Sequence, residues 1–457
     1  MIKIYIYLYY QTKMLKINIK TLIVILFFCF NDIRAETLNK TLIDSYNYYP
    51  DINKSKLELR NKKKDLSISK TDFLPSIDLS MSKGRTISKS FPDTNRYGFD
   101  EFNPSTFDID ITQPLGATKY LNLKSAQNSL KSAKYSDKSI IQGVLHRATL
   151  AFYTILKERF LLDVAKKNER NLKIKLKATE QRFEFRDVTK TDVFQAKARL
   201  AEAESKSIEA ENNLDIAISE YIAVVGREPE INWYESIDEK VTTSNPKDWS
   251  KFGKMPNTPS TMDQALNLAL ENNPELNKLR YELENTLVSI KKSTLNFFPE
   301  FSLSGSYGKS IESSRTINRK DSYQVTADVT VPLFNKGHNF YKLEKSKDSS
   351  LAIQEALQSK KINLIHEVKS SWKKMESLKS SILSLEASVE SNQVALEGVS
   401  KEAGVGTRTT LNILDAEKEL TQAEAKLVNS RFQLISSAYS LLKSCGLLSF
   451  EYLGIQK

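Results

Sequence analysis

Phe73-Leu74-Pro75-Ser76-Ile77-Asp78-Leu79-Ser80 returns as Phe297-Phe298-Pro299-Glu300-Phe301-Ser302-Leu303-Ser304, 224 positions later (297 against 73). Thr189-Lys190-Thr191-Asp192-Val193-Phe194-Gln195-Ala196 returns as Thr409-Thr410-Leu411-Asn412-Ile413-Leu414-Asp415-Ala416, 220 positions later (409 against 189). Each copy places two short alternating stretches between long helical ones, so the chain reads as a duplicated scaffold. The first repeat is set at residues 36–246 and the second at 261–450, with irregular segments at 227–260 and 447–457.

The alternating stretches read as strands. In the first copy Ile77, Leu79 and Met81 alternate with Asp78, Ser80 and Ser82. A polar loop of about 20 residues follows, and then Phe107, Ile109 and Ile111 alternate with Asp108, Asp110 and Thr112. In the second copy Phe301 and Leu303 alternate with serines, and Tyr323, Val325, Ala327, Val329 and Val331 alternate with Gln324, Thr326, Asp328 and Thr330. This period of two suits a strand with one apolar and one wet face, whether in a soluble sheet or between lipid and a lumen. The strand regions span residues 74–115 and 298–333.

Prolines mark the same places in both copies. Pro75 and Pro299 precede the first strands, and Pro114 and Pro332 are expected to stop the second strands. Pro50 and Pro274 interrupt the opening helices, because a proline cannot donate the helical hydrogen bond. After the strands, one helix is predicted from about Lys119 to Phe185 and another from about His338 to Ala403. Each would be roughly 100 Å long at 1.5 Å per residue. Reversals follow at Phe185-Arg186-Asp187-Val188-Thr189 and Val405-Gly406-Thr407-Arg408-Thr409, and returning helices run to Gly226 and Gly446. Val193, Ala196, Leu200 and Ala203 match Ile413, Ala416, Leu420 and Ala423, the spacing of a coiled coil with small residues for close approach. A short opening helix and a returning helix together balance one long helix and would stack end to end beside it.

Composition narrows the function. Among 457 residues there are only 12 Pro, 14 Gly and 3 His. His146, His338 and His366 are far apart in sequence and lack partners at metal-ligand spacing, and Glu184 and Glu367 read as ordinary helix acids. No phosphate-binding glycine loop occurs, so no catalytic residue, metal or cofactor is expected. The net charge of +11 is dispersed among acids, as in Lys166-Lys167-Asn168-Glu169-Arg170, which reads as a solvated helical face rather than a nucleic-acid surface.

The N-terminus reads as an export signal over residues 1–35, with Met14 the better initiator, an apolar run from Thr21 to Phe30 and a cut before Glu36. The apolar run is too short to span a bilayer, and Cys29 lacks the small residues of a lipoprotein signal. After cleavage Cys445 stands alone, which excludes an internal disulfide. No later segment reads as a transmembrane helix, so a membrane crossing would have to use strands closed into a barrel.

With the doubled layout, Ala269-Leu270-Glu271-Asn272-Asn273-Pro274-Glu275-Leu276 and Gly404-Val405-Gly406-Thr407-Arg408-Thr409-Thr410-Leu411-Asn412-Ile413-Leu414-Asp415-Ala416-Glu417, the mature chain resembles the outer-membrane efflux protein family, the TolC-like channels. The resemblance implies a mainly α fold with a small β part: a long antiparallel helical barrel, plus four transmembrane strands per subunit in a trimeric twelve-stranded barrel. It implies passive export of drugs, small molecules or secreted polypeptides through the outer membrane, with the helices in the periplasm. Implied partners are two further copies, outer-membrane lipid, a periplasmic membrane-fusion adaptor and an inner-membrane pump of resistance-nodulation-division or ABC type.

The family's gate lies at the helix reversals. Gly406, Thr407, Arg408 and Thr409 match the adaptor-docking tip, with Val188 and Thr189 at the first-copy tip. Two acidic positions three apart narrow the family's closed pore, and here they fall on Asn412 and Asp415. Asn412 departs from the pattern and leaves Asp415 as the expected charge ring, with Asp187 and Asp192 as partial compensation. Without the family, Asp415 reads as a solvated coiled-coil residue and Arg408 as a cap-region charge. The other readings are a coiled-coil structural or adhesion protein of the envelope, which leaves the strand pairs unexplained, and a periplasmic adaptor, which does not double its helices in this way.

Overall fold

The computed structural model describes residues 37–90, 98–229, 255–314 and 317–455. The expected leader, with Met14 and Cys29, and Trp233 and Trp249 of the irregular segment lie outside the described residues.

The first repeat opens with α1 (Leu38–Tyr48) and α2 (Pro50–Thr71), the break falling where Pro50 takes the first turn of α2. Strands β1 (Ser76–Lys83), β2 (Thr86–Ser90), β3 (Gly98–Phe102) and β4 (Ser105–Leu115) follow, then the long helix α3 (Ala117–Glu184, 68 residues) and the returning helix α4 (Lys190–Val225). The second repeat holds α5 (Met262–Asn272), α6 (Pro274–Leu295), β5 (Glu300–Ser314), β6 (Ile317–Thr330), α7 (His338–Gly404, 67 residues) and α8 (Thr410–Ser444). Thr261 caps α5, and Asn273, whose Oδ1 accepts from the Leu276 amide at 3.0 Å, caps α6 in front of Pro274.

Four strands form one antiparallel sheet in the order β1-β4-β5-β6. The register pairs Ile77 with Ile111, Leu79 with Ile109 and Met81 with Phe107, then Ile109 with Tyr307 and Tyr307 with Tyr323. One face therefore gathers the apolar residues of all four strands, and those of β1 and β6 stand exposed, Val325 at 80%. The other face carries serines and threonines with Asp78, Asp108, Asp110 and Asp328, and Asp78 lies directly opposite Asp110. Like charges placed so are tolerated only where water reaches them. The outer edges of β1 and β6 have no partner strand within the described chain.

Two expectations are corrected. Pro114 does not stop its strand: Pro114 and Leu115 pair with Ser302 and Phe301 of β5, beyond the last β1 partner, Thr112. On that stretch β4 has a neighbour on one side only, and a strand edge accommodates a residue without an N–H. Pro332 does lie past the end of β6. The polar loop after β1 is not irregular throughout, because β2 and β3 pair in a separate two-stranded ribbon.

The helices form a layer with α3 at its centre. Helix α3 contacts α1, α2 and α4 of its own repeat and α6 and α8 of the second, which in turn contact α7, and α8 also touches α4. The predicted end-to-end stacking holds. Gly226, with φ 85°, ends α4 against the Tyr48 ring at the end of α1, and Gly446, with φ 73°, lies against the Asn272 backbone at the end of α5. The largest buried cluster, which includes Leu145, Phe152, Ile155 and Tyr221, sits at this level and takes in Leu448 and Phe450 of the C-terminal tail. Among the described residues no helix is long and apolar enough to cross a membrane.

Candidate functional site at the hairpin tips

The helix pairs α3/α4 and α7/α8 end in two matched reversals. Arg186 (φ 59°) and Gly406 (φ 81°) hold the same left-handed position in the two turns. In the first tip Asp187 pairs with Arg182 Nε at 2.6 Å. In the second, Arg408 Nε pairs with Glu402 at 2.8 Å, and Thr407 donates its hydroxyl to the Glu402 carbonyl at 2.8 Å. Val188 sits in the first turn, between Asp187 and the cap residue Thr189.

Both returning helices start in a capping box. Thr189 donates its amide and hydroxyl to Asp192 Oδ2 at 2.8 and 2.7 Å, and Thr409 donates to Asn412 Oδ1 at 3.1 and 2.8 Å. The Thr189 hydroxyl and amide hold the Asp192 carboxyl below its usual range. A cap at this position needs an acceptor oxygen, and both Asp and Asn supply one, which accounts for the exchange between the repeats. Asp192 and Asn412 thus close helix ends.

Asp415 is drawn into an ion pair. Its Oδ1 lies 3.0 Å from Arg199 Nη2 of α4, and both side chains are partly exposed. This pair opens a polar seam between the repeats: Asn171 donates to buried Glu417, Thr421 donates to Asn168 at 3.3 Å, and Lys167 reaches Glu424 at 3.0 Å. Inside the second hairpin the packing is apolar, through Ile382, Val389, Leu420, Ala423 and Leu427. The contact between hairpins therefore adds ion pairs and hydrogen bonds to an apolar contact at Leu414.

Sequence reasoning placed Asp415 and the turns and missed Arg199 and the seam. A signal existed, since Glu417, Thr421, Glu424, Val428 and Arg431 recur at alternating spacings of four and three, an unusually polar stripe for a coiled-coil face. Arg431 lies in that stripe, buried and paired with Glu386. Near the helix junctions His146 and His366 line one groove with Glu275, Glu367, Lys360 and Lys443. Among the described residues no group of three His, Cys, Asp or Glu side chains is placed to hold a metal ion.

The sequence pattern of the family described as "Outer membrane efflux protein" matches this chain twice, over residues 47–227 and 265–447, one match per repeat. The chain belongs to that family. The outer membrane efflux protein BepC of Brucella suis is 23% identical over 425 residues, 92% of this chain and 88% of the relative. The alkaline protease secretion protein AprF of Pseudomonas aeruginosa is 24% identical over 365 residues, 78% of this chain and 73% of the relative. The fold matches the Campylobacter jejuni CmeC outer membrane channel with a TM-score of 0.77 at 15% identity, covering 90% of this chain and 85% of that one. It matches the outer membrane protein VceC of Vibrio cholerae with a TM-score of 0.74 at 17% identity, covering 90% and 96%. The outer membrane efflux family is therefore supported over nearly the whole described chain, and membership fits a duct rather than an enzyme.

Proposed function

We propose that three copies of this chain close into an outer-membrane duct that passively conducts solutes or polypeptides from a periplasmic pump and adaptor to the exterior. One observation supports the reading: among the described residues, both layers end in unpaired edges. The sheet leaves β1 and β6 open, and the helical layer leaves α7 at one side and α2 with α4 at the other. An edge strand in lipid has backbone groups with nowhere to bond, so four strands must join those of other copies, and three copies supply twelve.

The helical edges carry matching apolar residues. Phe340, Leu351 and Ile362 of α7 are exposed and recur every eleven residues, and exposed Leu57 and Ile68 of α2 repeat the same interval. Ring closure would bring α7 of one copy onto α2 and α4 of the next. The barrel's outer face would be the apolar sheet face, and its lumen the face holding Asp78, Asp108, Asp110 and Asp328. The tips around Val188 and Thr189 and around Gly406 to Thr409 would dock the adaptor, and the level of Asp415 would be the closed constriction. There Asp415 carries its counter-ion within the chain and Asn412 is neutral, so the resting pore attracts cations weakly.

The test is single-channel recording of the purified protein in a planar bilayer beside its native mass. Discrete openings from trimers support the duct. A monomer recovered in the soluble periplasmic fraction, without conductance, overturns it in favour of a structural role.

A further inference from the structure

The two repeats of one chain meet near the tips, where α8 crosses onto α3 and α4. There Leu414 is 2% exposed, clustered with Leu172, Ala196 and Ala203, with Leu176 and Leu200 packed against them. The repeat offset of 220 (409 against 189) carries Leu414 back to Phe194 and carries its seat forward to Asn392, Leu396, Ala416, Leu420 and Ala423. Phe194 has no such seat. It is 58% exposed, approached by the ammonium groups of Lys190 and Lys197 at 5.7 and 6.0 Å from the ring centroid. The corresponding seat on the second hairpin stands partly open, since Asn392, Leu396 and Ala416 are half-buried while Leu420 and Ala423 are buried.

We propose that Phe194 of one copy fills the α7/α8 seat of the adjoining copy, as Leu414 fills the α3/α4 seat of its own chain. This rests on the ring closure proposed above, which sets α4 of one copy beside α7 of the next. It adds the residue that locks the tips together, and it makes the two kinds of seam chemically unequal. Around Leu414 the seam holds Arg199–Asp415, Lys167–Glu424 and Asn171–Glu417. Moved by the same offset, those pairs become Glu419–Gln195, Ala387–Glu204 and Ser391–Lys197, and none joins opposite charges. The seam within a chain thus joins an apolar knob to ion pairs, and the seam between chains rests on the apolar knob without them. Raised salt weakens the first and leaves the second.

The experiment is thiol cross-linking of the full-length protein in membranes. Phe194→Cys is combined with Asn392→Cys, Leu396→Cys or Ala416→Cys, and treated with an oxidant and, separately, with a short bismaleimide. Leu414→Cys with Leu172→Cys, Leu176→Cys or Ala196→Cys is the intrachain calibration, and Cys445, which is buried, stays in place. The expected result is a ladder of covalent dimers and trimers from at least one F194C pair and none from F194C alone, with the calibration pairs linking without a gain in mass. Trimers by native mass that give no ladder with either reagent overturn the Phe194 seat and leave the duct standing. Monomers by native mass overturn the ring closure itself. A second readout is Phe194→Ala, expected to raise the closed-state leak of the channel equally at low and high salt. A leak that appears only at high salt would place an ionic contact there and overturn the apolar seat.

Discussion

Arg199 and Asp415 are 3.0 Å apart although they lie on the returning helices of different repeats, 216 residues away from each other in the chain. The carboxylate that the family resemblance offers as a charge ring is therefore paired within the subunit. Both side chains are partly exposed, and a pair of this kind contributes about 0.5–1 kcal/mol. Its consequence lies in where the charge goes when the pair is broken.

On the gate proposed above, Arg199→Ala releases the Asp415 carboxylate into the pore. In the proposed trimer the three freed carboxylates would bind divalent cations, so block of the open channel from the periplasmic side is expected to strengthen by about tenfold or less, as 1.4 kcal/mol would give. Asp415→Ala removes the ring and leaves block at or below the wild-type level. Both single variants raise open probability at low salt, and the double variant adds little to either, because they break one contact. Block that weakens in R199A contradicts the pairing.

The helix junctions are the least forgiving places in the chain. At Gly226 an added Cβ collides with the Tyr48 ring, at Gly446 with the Asn272 backbone, and both residues hold positive φ. Gly226→Ala and Gly446→Ala therefore each destabilise by about 2–4 kcal/mol, combining backbone strain with overpacking. Gly143→Ala and Gly398→Ala meet open space inside long helices and stabilise by about 0.5–1 kcal/mol. Thermal unfolding of the helical signal, followed by circular dichroism in detergent, separates the two classes. Equal shifts for all four would mean that the stacked junctions do not bear on stability.

These contrasts show what a linear reading reaches. Strand phase was legible at Ile77, Leu79 and Met81 because a side-chain period of two needs no knowledge of the partner strand, and the register bears out each of them. Pro50, Pro274, Gly226 and Gly446 were legible because they act through their own backbones. The Arg199–Asp415 pair was not, since two surface charges on separate helices give no local signal of meeting. The continuation of β4 through Pro114 is not legible because it depends on β1 beginning at Ser76, opposite Thr112, which only the sheet order reveals. The local part that Asn412 plays, accepting hydrogen bonds from Thr409 at the start of α8, is not visible in its departure from the family pattern.

Acid acts on the body of the chain through His146. Its Nε2 lies 3.2 Å from Ser440 Oγ, and burial, aided by the Lys443 charge, pushes its pKa down from 6.5 to about 4. The unfolded chain binds this proton more readily than the folded one, so the histidine's contribution to stability is present above pH 6.5 and is lost as pH falls towards 4. His146→Asn keeps a hydrogen-bonding side chain without the titration. Melting temperatures measured from pH 7.5 to 4 are expected to fall more steeply for wild type than for H146N. Parallel curves would assign the acid sensitivity to other groups.

Asn412→Asp tests the division between cap and gate. Asp192 shows that a carboxylate accepts the same two bonds from the threonine before it, so the helix start survives the change, and a negative charge in the first turn favours the helix by about 0.3–1 kcal/mol. Melting temperature is therefore expected to hold or rise slightly. At the proposed constriction the same change adds one charge per copy, and among the described residues the Asn412 side chain accepts hydrogen bonds from Thr409 and none from an arginine. Half-block by divalent cations should then move to lower concentration, and further still in the N412D/R199A double variant, where both rings are free. A fall in stability with unchanged block would mean that the position serves the cap alone and lies away from the conduction path.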